Sequence, residues 1–82
     1  MVRAEKLYRK ARESRGRNIH FHDLCSLAEA AGFRFDRQRG AHRIYKHDDL
    51  DVILNFQENR GEAVPYQVRQ LLDLIDEHRL LG

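Results

Sequence analysis

The chain has 82 residues, room for one domain that buries about 60–65% of the surface its unfolded form exposes. Apolar residues make up 41% and charged residues 34%, which argues against a disordered tail and requires a heavily charged exterior. The net charge of +2 hides a split: residues 1–47 hold 12 Lys and Arg against 5 Asp and Glu, and residues 48–82 hold 3 against 8. A basic footprint for a phosphate backbone is therefore confined to the first half.

The first element is a helix over Val2 to Glu13, where Ala4, Leu7, Tyr8 and Ala11 recur at i, i+3, i+4 and i+7. Its other faces carry Arg3, Lys6, Arg9, Lys10 and Arg12, either as a solvated exterior or as a phosphate-contacting face. Arg15 and Arg17 flank Gly16, which reads as a flexible joint. A second helix is expected over Asp23 to Ala31. Leu24, Leu27, Ala28 and Ala31 form its stripe, Phe21 acts as a staple before it, Asp23 is the candidate N-cap and Gly32 the left-handed stop. His20 and His22 flank its start without the Cys or carboxylate partners a zinc site needs.

The period then changes from helix to strand. Phe33 and Phe35 alternate with Arg34 and Asp36, Arg39-Gly40 is a tight turn, and a second strand follows over Ala41 to Lys46. A third strand covers Asp51 to Gln57, with Val52, Leu54 and Phe56 on one side; Ile53 breaks the alternation and is expected under a helix edge. A polar loop over Glu58 to Ala63 leads to Pro65, well suited to the first position of a terminal helix striped by Val68, Leu71, Leu72 and Ile75. The expected fold is α+β, in the order α-α-β-β-β-α, with a three-stranded antiparallel sheet packed against helices on one face. One domain spans 1–82, with a basic helical extension over 1–17 and a core over 19–81.

The single cysteine, Cys25, precludes an internal disulfide framework and suits a buried thiol. No apolar run approaches the ~20 residues of a membrane span and no signal-peptide core follows the basic start, so a cytoplasmic protein with no membrane partner is expected.

Chemistry concentrates in the hairpin Phe33 to His47. It carries Arg34, Arg37, Arg39, Arg43 and Lys46 against one acid, Asp36. Such a row can follow a nucleic-acid backbone; the alternative is charge protection of an edge strand, which needs no bias of sign. His42 is the hairpin side chain suited to proton transfer near neutral pH. RNA supplies its own nucleophile, the 2′-OH, so a base together with cations on the phosphoryl oxygens suffices without a metal or other cofactor. Strict alternation places His42 on the side of Ile44, so it reaches substrate only at the turn end of the strand or if Tyr45 and Ala41 form the inward set. His47 is a candidate general acid or a solvated turn residue, and Tyr45 and Tyr66 are candidates for base stacking or for packing.

The run Arg37-Gln38-Arg39-Gly40-Ala41-His42-Arg43-Ile44-Tyr45-Lys46-His47 resembles the signature hairpin of HicA-type toxins. The resemblance continues through Val52-Ile53-Leu54-Asn55-Phe56 and Pro65-Tyr66-Gln67-Val68-Arg69-Gln70-Leu71-Leu72, covering about Ile19 to Leu81. It implies a fold similar to double-stranded-RNA-binding domains and an endoribonuclease acting on mRNA. The family's catalytic histidine falls on His42 and its turn glycine on Gly40, to which the residue reading adds Arg37, Arg39, Arg43 and Lys46 as candidate RNA contacts, with no metal required. It also implies neutralisation by a cognate HicB-like antitoxin. Three features depart from the family pattern: Ala41 replaces a small hydroxyl residue, Pro65-Tyr66 replaces a glycine-threonine helix opening, and the helix at Val2 to Glu13 is additional. A non-catalytic RNA-binding module of the same fold is the alternative function, followed by a protein-interaction domain with an acidic partner.

Overall fold

The computed structural model describes residues 2–82; Met1, the first residue of the expected extension, lies outside them. The elements are α1 (Val2–Glu13), α2 (Phe21–Ala30), β1 (Phe33–Arg39), β2 (His42–His47), β3 (Ile53–Asn59), β4 (Glu62–Ala63) and α3 (Pro65–His78). The strands form one antiparallel sheet in the order β1-β2-β3-β4. The α-α-β-β-β-α order and the double-stranded-RNA-binding-domain-like architecture are as the sequence implied. The meander is extended by a short fourth strand, because β3 runs on to Asn59 and turns through Arg60 and Gly61. Both turn residues have positive φ, 54° and 81°, as a two-residue hairpin loop requires.

The core is built between the helices and one face of the sheet. Tyr45, Leu54 and Phe56 come from the strands, Leu24, Leu27 and Ala28 from α2, and Val68, Leu71, Leu72 and Ile75 from α3. Tyr45, Leu54 and Phe56 are fully buried, and each aliphatic or aromatic side chain so removed from water contributes roughly 1.5–3 kcal/mol. Ile53, expected beneath a helix, is 60% exposed. Burying Leu54 and Phe56 forces their neighbour onto the other face, because strand side chains alternate.

The second helix begins two residues before the expected Asp23 cap. His20 occupies the cap without a side-chain hydrogen bond, and Phe21, buried in the core, is the first helical residue rather than a staple outside it. Asp23 lies in the first turn, 3.5 Å from Arg3 of α1, where a carboxylate favours the helix N-terminus. Gly32 follows the helix with φ +96°, a conformation strained for any residue with a Cβ, and a Cβ there would also lie 2.8 Å from Nε2 of His47 and displace that ring.

The stretch around Gly16 is a packed corner rather than a loose joint. Gly16 is buried, its N–H donates to Ala11 O at 2.9 Å, and a Cβ on it would lie 2.5 Å from Pro65 O. Contacts on either side of this corner fasten α1 and the segment after it to the rest of the fold. Tyr8 and Arg12 of α1 bind Asp76 of α3, and Arg12 also reaches Asp73 at 3.3 Å. The segment before α2 binds β4 through Ala63 N–H to Ile19 O at 2.8 Å, and Phe21 N–H donates to Gly61 O at 2.9 Å.

Candidate functional site

The register of β2 decides which side chains meet. Tyr45 and Arg43 point to the helices, whereas His42, Ile44 and Lys46 point to the opposite, helix-free face. Tyr45 is thus the inward residue, and His42 shares the open face with Ile44.

On β1 a bulge sets the facing. Phe35 pairs with Tyr45, but the next pair is Arg37 with Ile44, so one residue of β1 has no counterpart between them. Without it, Arg37 and Arg39 would follow Phe33 and Phe35 toward the helices. The extra residue shifts the alternation by one, so Arg37 lies across from Ile44 and Arg39 across from His42. Asp36, the added residue, accepts from Arg37 and lies 3.8 Å from Nζ of Lys46.

The result is a shallow groove of about 370 Å³ lined by Arg37, Arg39, His42, Ile44, Ile53 and Asn55. Ile53 provides exposed apolar surface, Ile44 is only 6% exposed, and the arginines form a cationic wall. Arg39 has no ion-pair partner among the described residues, in contrast to Arg34 (with Asp48, 2.7 Å) and Arg37 (with Asp36). Nδ1 of His42 lies 2.9 Å from Oδ1 of Asn55 on β3. Asn55 was not among the residues singled out from the sequence; the usable signal was an asparagine, a poor strand former, between the core positions Leu54 and Phe56. Gly40 forms the turn beside His42 with φ +61° and nothing within 4 Å of the position a Cβ would take.

Four residues linked with this chemistry from the sequence lie elsewhere. The Arg43 guanidinium lies on the helix side, 4.4 Å from the Phe35 ring centroid, and donates to Gln38 Oε1 at 3.2 Å and to Tyr45 Oη at 3.3 Å. There it lines a separate cleft of about 510 Å³ with Gln38, Glu29 and His22. Burial pushes the Tyr45 phenol above its ordinary range, so it stays protonated and can donate to Glu29 Oε2 at 3.4 Å. A fully buried Tyr45 serves packing, not base stacking. His47 packs edge-on against Phe33 with 4.9 Å between centroids, and its Nδ1 accepts the Asp49 N–H at 3.0 Å; it is not on the face of His42. Tyr66, at the start of α3, is 62% exposed. Among the described residues no group of three His, Cys, Asp or Glu is arranged to hold a metal ion, and no helix is long and apolar enough to cross a membrane.

A protein-family model described as the HicA toxin of bacterial toxin–antitoxin pairs matches residues 21–76, from the first residue of α2 into the last turn of α3. That range contains every residue of the groove and leaves α1 outside. No curated protein and no solved structure matches the chain.

Proposed function

The chain belongs to the HicA toxin family, and from that premise we propose that it is a metal-independent endoribonuclease acting on mRNA, with His42 as general base. The observation that carries this reading is the convergence of His42, Arg37 and Arg39 in one groove on the helix-free face. RNA laid along it would rest a base or ribose on the exposed Ile53 and place a phosphate against Arg37 and Arg39. His42 takes the 2′-OH proton, and the 2′-oxygen attacks the adjacent phosphorus. The 5′-oxygen of the next nucleotide leaves with a proton from water, giving a 2′,3′-cyclic phosphate and a 5′-hydroxyl end. The arginines stabilise charge growing on the phosphoryl oxygens, where such stabilisation is worth most, while general-base catalysis contributes typically 10²–10⁴-fold.

Lys46, on the same face, contributes to binding the backbone, and Gly40 lets the RNA approach the turn closely. Arg43 supports the hairpin from behind and contacts RNA only where the strand wraps around it. In this reading residues 1–82 form one domain with α1 as an added helix. A cognate HicB-like antitoxin neutralises the toxin by covering the open face.

His42→Ala is expected to retain the fold and RNA affinity and to lose cleavage, with chelator present, as well as growth arrest. Undiminished cleavage by this variant would refute the mechanism. One observation favours a second reading, a non-catalytic RNA-binding module: Ala41 places no hydroxyl beside His42. It predicts salt-sensitive RNA affinity without turnover by the unmodified protein.

A further inference from the structure

We infer that Asn55 is a positioning residue that holds the His42 imidazole in its Nδ1–H tautomer and leaves the Nε2 lone pair facing the groove. The inference deepens the ribonuclease reading and rests on it for its catalytic consequence, but the tautomer itself is a property of the protein alone.

The geometry originates in the pairing of β2 with β3. His42 lies opposite Gln57 and Ile44 opposite Asn55, so Asn55 is the diagonal neighbour of His42 on the open face, within reach of a long side chain. The 2.9 Å contact joins His42 Nδ1 to the amide oxygen of Asn55. With the amide turned so that its oxygen faces the ring, the oxygen accepts and Nδ1 is the donor, carrying the proton. A neutral imidazole has one donor and one acceptor, and Nε2 is therefore the acceptor.

Two further features agree with this arrangement. The groove around the ring also contains Arg37 and Arg39, whose side chains offer donors and no acceptor. A lone pair suits that surrounding, whereas an Nε2–H would oppose donor to donor. In addition, asparagine is disfavoured in strands, and Asn55 sits on the exposed face, where it adds nothing to the core. Its hydrogen bond to His42 is the reason for an amide at this position. Without it, an imidazole would favour the proton on Nε2, and the remaining basic nitrogen, Nδ1, would be directed at β3 instead of at substrate.

The test uses full-length protein with ¹⁵N-labelled imidazoles, with the His42 resonances assigned by their loss in H42A. At a pH where the ring is neutral, the unmodified protein should show a protonated Nδ1 and an unprotonated Nε2. N55L, close in volume and unable to accept, should transfer the proton to Nε2 and lower kcat for RNA cleavage, by up to the roughly 10²–10⁴-fold that a general base contributes, with KM little changed. N55D restores the acceptor and should restore both the tautomer and most of kcat. An Nε2–H tautomer in the unmodified protein, or an unchanged tautomer in N55L, would overturn the inference. If N55L fails to fold, the unmodified protein and N55D still decide the tautomer. Absence of cleavage by the unmodified protein defeats the ribonuclease reading and leaves the tautomer result to stand or fall separately.

Discussion

The opposite facing of Arg43 and its neighbours on β1 can be tested through salt dependence. Arg37, Arg39 and Lys46 share the open face with His42, whereas Arg43 is packed on Phe35 behind the sheet. Each cation that neutralises a phosphate of single-stranded RNA adds about −0.7 to the slope of log affinity against log salt. Three contacts give a slope of about −2.1, so raising salt from about 50 to 200 mM should weaken binding about 18-fold. Replacing Arg37 and Arg39 together by Met leaves one contact, and the same change in salt should then weaken binding only about 2.6-fold. Arg43→Met should keep the full salt dependence and lose stability instead, since it removes the hydrogen bonds to Gln38 and Tyr45. The assay is fluorescence anisotropy with a short labelled RNA on the H42A background, so that nothing is cut. A flattened slope in Arg43→Met, or an unaltered slope in the double variant, would refute the facing argument.

Leu54→Ala should lower stability by about 2–5 kcal/mol in urea unfolding, because the side chain is fully buried and its removal leaves a cavity; a loss below ~1 kcal/mol would contradict this packing. Hydrogen bonding from Tyr8, then from Arg12, holds the Asp76 carboxyl below its ordinary range. A lowered folded value means its contribution is present above the unfolded value, about 3.9, and is lost as pH falls through the folded one. The stability gap between the unmodified protein and D76N should thus be open at neutral pH and close in strong acid; a gap that widens on acidification would refute the linkage. Burial pushes the Cys25 thiol up, so the thiolate is scarce, and iodoacetamide should label the native protein far more slowly than the unfolded one. Equal labelling rates would show that Cys25 is accessible.

By itself the sequence determined the order of the three helices and the first three strands, the helix stripes and the basic hairpin, because these depend on local periodicity. Pro65 marked the start of α3 and Gly32 the end of α2 through backbone constraints that act within a few residues. The alternation along β2 and β3 was legible too, but it left two faces without saying which was buried. Tertiary packing chose. Tyr45, Leu54 and Phe56 fill the space under α2 and α3, and that choice sends His42, Ile44, Ile53 and Asn55 outward. The β1 bulge was equally invisible, since one unpaired residue leaves no mark on composition yet reverses the facing of the rest of its strand. It separates Arg37 and Arg39, beside His42, from Arg43, which an even count of charges along the hairpin would group with them. The bond between His42 and Asn55 joins residues 13 apart in the chain, and only the register of β2 on β3 could bring them together.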